Sequence, residues 1–342
     1  MKARSRARHV IAALALAVLV MALVCLFVGA SRMSLSDGVA ALFGKGSAAN
    51  VRIVRSIRVP RVLAALIAGA ALSAAGLVMQ TTLSNAMASP STMGVSNAAV
   101  FGANLSIIVF AGGYLSTGNN LAGYTAGVNP FAASVTAFLF SALSILLILA
   151  LCRVKAFSPN VVVLAGIAVG AIWTAATTLL QFYATDVGLS AAVVWNFGDL
   201  GRATYKTDLL MLCAAAPGLA VFSALAWRYN ALLSGDAAAG SMGVNVSRLR
   251  FFSLLLASLM TAACVSSLGV ICPHVAKRLL GHDHRVSIPA SALMGSLLLL
   301  CADALSRSLG SGSALPVGAI TSLLGAPLFL AIIFSRKEHG QC

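Results

Sequence analysis

The chain has 342 residues, of which 60% are hydrophobic and 9% are charged, whereas soluble domains carry about 25% charged residues. This composition excludes a soluble domain and a disordered chain, and 7 cysteines are too few for a disulfide-rich secreted scaffold. The net charge is +15, and the basic residues lie at the ends of apolar runs. This placement indicates that they set the membrane topology and contact lipid headgroups rather than bind nucleic acid. We therefore predict an all-α, polytopic membrane protein.

Nine uncharged runs are long enough to predict membrane helices. They are residues 10–30, 62–83, 93–113, 131–152, 161–183, 209–227, 251–276, 286–302 and 315–334. The first run resembles a signal peptide, but it is longer than such segments usually are, so we expect it to be retained. Small residues four apart, such as Ala65/Gly69 and Gly166/Gly170, predict close helix packing.

The distribution of Lys and Arg favours ten spans over nine. With a cytoplasmic N-terminus, ten spans place 14 of the 23 basic residues inside and 9 outside, whereas nine spans place 10 inside and 13 outside. Basic residues prefer cytoplasmic loops, so we predict ten spans with both termini inside. The extra span requires residues 268–280 to be a short return segment that is buried in protein. Residues 1–342 then form a single transmembrane domain.

The predicted external loop 45–61 carries a basic stripe that opposes the topology rule. The four arginines are spaced by three, which predicts that they lie near one helix face, and Pro60 is expected to break that helix. Either an interfacial helix binds lipid headgroups, or the stripe docks acidic residues of an external partner, since the arginine fork binds carboxylates bidentately. The arginines are Arg52, Arg55, Arg58 and Arg61.

Two further polar features lie in the second half of the chain. Asp303 and Arg307 are one helical turn apart in the ninth predicted span, which indicates either a functional carboxylate or an ion pair that neutralises itself. In the internal loop 229–247, Asp236 can begin a short helix and Gly243 can end it. That helix is either a plain surface helix or a plug for a soluble partner.

The remaining polar residues predict structural roles. Pro273 is expected to break the return segment, with His274 contacting the freed backbone. The run His282-Asp283-His284 offers too few ligands for a metal site, so no metal is expected. Gln80 and Asn85 are expected to form interhelical hydrogen bonds. The sequence has no P-loop motif, and intramembrane carboxylates are too few for a proton relay.

Two blocks of motifs follow one another along nearly the whole chain. The first contains Arg58-Val-Pro-Arg61, Gly69-Ala-Ala-Leu72, Gly76, Gln80, Asn85 and Met93-Gly-Val-Ser96. The second contains Gly269-Val-Ile-Cys-Pro273-His274, Gly281-His-Asp283-His284-Arg285, Pro289, Asp303, Arg307, Leu315-Pro-Val-Gly318 and Leu324-Gly-Ala-Pro327. Together they resemble the permease subunits of type II (FecCD-type) ABC importers for iron-siderophore, haem and vitamin B12.

The resemblance implies a ten-helix permease that pairs with an identical or closely homologous second permease subunit in the cytoplasmic membrane of a prokaryote. It implies a substrate-binding protein outside, docked on Arg58, Arg61 and Arg307, to which the basic stripe adds Arg55. It also implies two cytoplasmic ATPase subunits, which bind ATP and Mg, so this chain is not an enzyme and needs no cofactor. The residues implied in ATPase coupling are Gly235, Asp236, Ala239, Met242 and Gly243.

Structural or gating roles are implied for Gln80, Asn85, Pro273, His274, Asp303, Pro316, Gly325 and Pro327. The sequence departs from the family pattern at Ala86, Ala263, Ser267, Asp236 and Gly240, which puts fine geometry in doubt. The expected substrate is a ferric siderophore, moved by alternating access, with haem or vitamin B12 as alternatives. An ion-coupled secondary transporter and a membrane receptor without transport are remoter alternatives.

Overall fold

The computed structural model of the protein describes residues 2–27, 33–85, 88–111, 130–154, 159–268, 283–309 and 315–334. Every regular element in these ranges is a helix. Seven of the described helices are long and apolar enough to cross a membrane, and Val95–Phe110 is a shorter apolar helix. A bilayer leaves no water to satisfy backbone groups, which is why the apolar runs form helices.

The helices agree with the predicted runs. They are α1 (Lys2–Phe27), α2 (Leu35–Leu42), α3 (Ala48–Ile53), α4 (Val59–Thr82), α5 (Val95–Leu105), α6 (Pro130–Val154), α7 (Pro159–Phe182), α8 (Asp186–Asn196), α9 (Tyr205–Ala224), α10 (Ala226–Leu232), α11 (Asp236–Ser241), α12 (Val246–Leu268), α13 (His284–Leu309) and α14 (Val317–Phe334). Within the described residues, each of the nine runs coincides with one of the longer helices or with α5, which a π turn extends to Phe110; the run 209–227 also enters α10.

The helix before α4 does not break at Pro60, contrary to our prediction. Residues 48–82 form one continuous helix that contains a π turn, Val54–Arg58. In this turn the N–H of Val59 donates to the carbonyl of Val54, five residues back. The wider turn leaves room for the proline ring beside the preceding carbonyls, where a regular α-helix would clash.

The core of the bundle is the contact between α4 and α13. Gly69 of α4 faces Gly295 of α13, and a Cβ on Gly69 would lie 2.7 Å from the Cα of Ser296. The two glycines therefore let the backbones touch. Interhelical hydrogen bonds lie on both sides of this contact: Ser73 and Ser291 hydroxyls are 2.9 Å apart, and the Ser296 hydroxyl donates to the Leu66 carbonyl at 2.7 Å.

Helices α12 and α13 run in the same direction. At the C-terminal end of α4, Arg250 near the start of α12 donates to the carbonyl of Thr82, and His284 at the start of α13 contacts Thr81. Both helices are therefore antiparallel to α4 and parallel to each other. A ten-span topology requires this arrangement. The predicted return segment, residues 268–280, lies outside the described residues apart from Leu268.

A second group of helices packs beside this core. Gly94, which has a positive φ of 69°, precedes α5 and lies against α7, where an added Cβ would be 2.7 Å from the Cα of Gly170. Gly166 of α7 faces Met93 in the same way. The Gly166/Gly170 spacing therefore marks a close approach, as predicted, and here the neighbour is the turn before α5 rather than another membrane helix.

Candidate functional site

One polar cluster lies where α4 begins and α13 ends. Arg61 Nε is 2.6 Å from Asp303 Oδ1, and Arg307 Nη2 is 2.7 Å from Asp303 Oδ2. The Asp303 residue is fully buried. Two guanidinium groups thus share one carboxylate, which we call the Asp303 cluster. Because only one of the two positive charges is balanced by Asp303, the cluster leaves the interior with an excess of positive charge.

The same arginine-rich region holds the last turn of α1. Arg58 Nη1 donates to the carbonyls of Leu26 and Phe27 at 2.8 and 3.0 Å, and Arg307 Nη1 donates to the carbonyl of Cys25 at 2.9 Å. The last carbonyls of a helix have no partner within the helix, so cationic donors satisfy them and favour the negative end of its dipole. Arg58 and Arg307 therefore fasten α1 to α4 and α13.

The basic stripe does not form one face, contrary to the expectation from its spacing. Arg52 and Arg55 are exposed, whereas the exposed fractions of Arg58 and Arg61 are 4% and 8%. Residues three apart drift by about 60° per step around an α-helix, so four of them span roughly half the circumference. Of the four predicted docking residues, Arg55 alone has an exposed side chain, and Arg307 is buried in the Asp303 cluster. The docking role of these arginines stays a prediction.

The helix predicted in the internal loop is present as α11. It begins at Asp236 after Gly235, which has a φ of 95°, and Gly243, with a φ of 82°, follows its end. Positive φ values are accessible to glycine at little cost, so both ends of the helix are well placed. Ala239 is buried against the rest of the protein, while Met242 is exposed. The role of these residues in ATPase coupling stays a prediction.

A bidentate ion pair connects α11 to the membrane helices. Arg250 of α12 places Nη1 at 2.8 Å from Asp236 Oδ2 and Nη2 at 2.7 Å from Asp236 Oδ1. Its Nε donates to the carbonyl of Thr82 at 2.8 Å. One guanidinium thus joins the start of α11 to the end of α4. Arg250 was not among the predicted site residues, because the sequence shows it only as one of several basic residues beside a span.

A further group of polar side chains, centred on Asn230, lies beside this pair and was also not predicted from the sequence. The side-chain oxygen of Asn230 accepts from the backbone N–H of His284 at 2.8 Å, and the two ring nitrogens of His284 contact Asn230 and Thr81. Asn230 also donates to Asp283 at 2.9 Å. This hydrogen bond lowers the pKa of the Asp283 carboxyl below its ordinary value, against the opposing effect of burial. These contacts join α10 to the start of α13.

The predicted structural or gating residues are placed as follows. Gln80 is buried within α4, and the Gln80 carbonyl accepts from the backbone N–H of Asn85, just after that helix. Pro316 immediately precedes α14, which contains Gly325 and Pro327. Pro273, His274 and Ala86 lie outside the described residues. No contact among these residues tests a gating role.

The departure at Gly240 gives a prediction for the stability of α11. A Cβ added at Gly240 would meet nothing within 4 Å, so Gly240→Ala should stabilise α11 by about 1 kcal/mol. Hydrogen exchange of the peptide covering residues 233–243 should then slow by about fivefold in the purified protein. The matched control is Ala237→Gly at an exposed position of the same helix, which should speed exchange. Unchanged exchange in both variants would contradict the prediction.

A sequence model of the FecCD transport family matches residues 16–335. The chain belongs to the FecCD transport family. As a member of this family it is a membrane-embedded transport permease, which agrees with its apolar helices.

Its relatives share most of its length. A Methanocaldococcus jannaschii protein named as an ABC transporter permease is 40% identical over 321 residues, which cover 92% of this chain and 90% of the relative. The hemin transport system permease protein HmuU of Yersinia pestis is 35% identical, covering 83% of this chain and 84% of the relative. A solved structure described as an inward-facing conformation of a metal-chelate type ABC transporter has a TM-score of 0.80 and 25% identity, covering 96% of this chain and 100% of that one.

Proposed function

We propose that this FecCD-family chain is the permease subunit of an ATP-driven importer for a metal chelate, in the first place a ferric siderophore. Relatives support the substrate class: besides the hemin permease, they include the iron(3+)-hydroxamate permease FhuG of Bacillus subtilis and the vitamin B12 permease BtuC of Vibrio cholerae, which are 32% and 30% identical. The sequence has no P-loop motif, so ATP and Mg bind to two partner ATPase subunits.

The observation that carries the proposal is α11. It is a six-residue helix with an exposed Met242 at its end, and its Asp236 is tied by a bidentate ion pair to a buried arginine of the membrane helices. A short, exposed helix with a rigid connection to the bundle is suited to receive movement from a soluble subunit. In the proposed orientation, α11 and both termini face the cytoplasm.

The translocation path is proposed to run along the surface between α5 and α7. A groove of about 550 Å³ there is lined mainly by small and polar residues, together with Ile167. Asn97 in this groove donates to the Gly170 carbonyl at 3.2 Å and to the Thr174 hydroxyl at 3.0 Å. We assign this groove to the path, where a second permease subunit, identical or closely homologous, closes it from the other side. Alternating access then rocks the two subunits against each other.

Docking of the external binding protein involves the exposed part of the basic stripe. Arg55 is exposed and donates from Nε to the carbonyl of Leu42 at 3.0 Å, and the Tyr205 hydroxyl donates to the Arg55 carbonyl at 2.5 Å. The backbone and side chain are thus held in place while the guanidinium remains open to a carboxylate of a partner. Arg58, Arg61 and Arg307 lie behind it and add positive potential.

The test is uptake into ATP-loaded proteoliposomes that contain the permease with its cognate ATPase and binding protein. Ferric siderophores, haem and cobalamin are offered one at a time. We expect ATP-dependent uptake of a ferric siderophore, and we expect Arg55→Glu to raise the binding-protein concentration for half-maximal uptake about tenfold, since like charges repel. Arg8→Glu, the same charge change at an exposed position near the start of α1, is the control, because the opposite end of α1 is the one that contacts Arg58.

Each outcome bears on a separate part of the proposal. Uptake of haem or cobalamin instead would overturn the siderophore assignment, and uptake driven by an ion gradient without ATP would overturn the importer. If Arg55→Glu and Arg8→Glu behave alike, Arg55 is not part of the docking surface.

A further inference from the structure

Arg250 occupies an unusual position between the cytoplasmic helix and the membrane core. It lies in the second turn of α12, with 6% of its side chain exposed, whereas 53% of the Asp236 side chain is exposed. A buried guanidinium needs partners for its donors. Here Nε, Nη1 and Nη2 all donate, one to Thr82 and two to Asp236.

This guanidinium supplies the polar part of the connection between α11 and the bundle, beside the packing of the buried Ala239. In the described part of the chain, the side-chain hydrogen bonds that join α11 to a membrane helix are the two between Asp236 and Arg250. Gly235, Gly240 and Gly243 around α11 face open space. A displacement of α11 is therefore transmitted to Arg250 of the bundle through the carboxylate of Asp236.

The other end of this connection is α4, which belongs to the most buried of the candidate membrane spans in the described part of the chain. The carbonyl that accepts from Arg250 belongs to Thr82, the last residue of α4, and the Thr82 hydroxyl donates back to the carbonyls of Val78 and Met79. The last turn of α4 is thus internally bonded. A pull on the Thr82 carbonyl moves that turn as a unit.

We propose that Arg250 is a positioning residue that transmits movement of α11 to the end of α4. This inference rests on the proposed function of α11 as the ATPase contact. The planar fork of arginine holds the Asp236 carboxylate and the Thr82 carbonyl in one rigid geometry. A lysine, with a point charge on a flexible stem, cannot hold both partners in that geometry.

The test measures hydrogen exchange in the complete complex of permease and ATPase subunits, with and without a non-hydrolysable ATP analogue. In the wild type, nucleotide should change exchange both in residues 233–243 and in residues 79–85. Arg250→Lys should keep the response in residues 233–243 and lose it in residues 79–85. Arg248→Lys, at an exposed position of the same helix, should keep both responses.

A second variant keeps the test decisive if Arg250→Lys does not fold. Asp236→Asn changes a half-exposed side chain and removes the charge, and it should also lose the response in residues 79–85. A merely structural role of Arg250 would shift exchange equally with and without nucleotide.

The inference is wrong if residues 79–85 still respond in both variants, or if they do not respond in the wild type while residues 233–243 do. If residues 233–243 of the wild type do not respond, the proposed ATPase contact itself fails.

Discussion

Replacing Asp303 with alanine is expected to lower the free energy of unfolding by about 3–5 kcal/mol. The carboxylate is fully buried and is the anionic partner of both Arg61 and Arg307. Its removal leaves two guanidinium groups with an uncompensated charge in the protein interior. The destabilised region is the junction of α4 and α13 with the last turn of α1, because Arg307 also donates to the carbonyl of Cys25.

Denaturant titration of the purified protein in mixed micelles measures this loss. Asp186→Ala, at an exposed carboxylate in the first turn of α8, is the matched control and should cost no more than about 1 kcal/mol. Combining Asp303→Asn with Arg61→Gln should cost less than the sum of the single variants, since each removes the partner of the other. Additive costs would show that the two residues do not form a coupled pair.

Gly295→Ala is expected to be the most damaging of the glycine-to-alanine substitutions in α4 and α13. The added methyl group would meet the carbonyl oxygen of Gly69 and the Cβ of Ser73. Because a backbone carbonyl cannot rotate away as a flexible side chain can, the helices must separate. We expect a loss of about 3 kcal/mol, to which overpacking and the weakened hydrogen bonds of Ser291 and Ser296 both contribute.

The melting temperature and the monodisperse fraction after purification measure this loss. Gly240→Ala is the control, because it adds the same methyl group where nothing lies within 4 Å. Ser291→Ala removes one hydroxyl without adding volume and should cost roughly 0.6 kcal/mol, the average for an interhelical hydrogen bond in a membrane protein. A melting temperature of Gly295→Ala equal to that of Gly240→Ala would contradict the close backbone contact.

The helices could be predicted from the sequence because the bilayer imposes a length and a composition on each of them. Where the structure describes them, all nine apolar runs coincide with helices. The eleven-residue α8 was not predicted, because it is too short to span a membrane and its pattern is weak. The break at Pro60 was predicted wrongly, because a local rule about proline cannot foresee that a π turn accommodates the ring.

The candidate site could be predicted only where its contacts are local. Asp303 and Arg307 form the i,i+4 ion pair that was one of the two alternatives, and α11 has the predicted ends. The third member of the cluster, Arg61, is 242 residues from Asp303, and Arg250 contacts Thr82 across 168 residues. Such pairs depend on which helices become neighbours, and helix packing in lipid is governed by small residues whose partners a single sequence does not reveal.

The hydrogen bonds to the last turn of α1 form in an order that is set by the synthesis of the chain. Arg58 follows its acceptors in α1 by 31 and 32 residues, so it leaves the ribosome soon after them. Arg307 follows Cys25 by 282 residues, which at 5–20 residues per second takes roughly tens of seconds to synthesise. During that interval α1 sits in the membrane with Arg58 as its available anchor. Helix α1 therefore completes its contacts only after α13 has been synthesised.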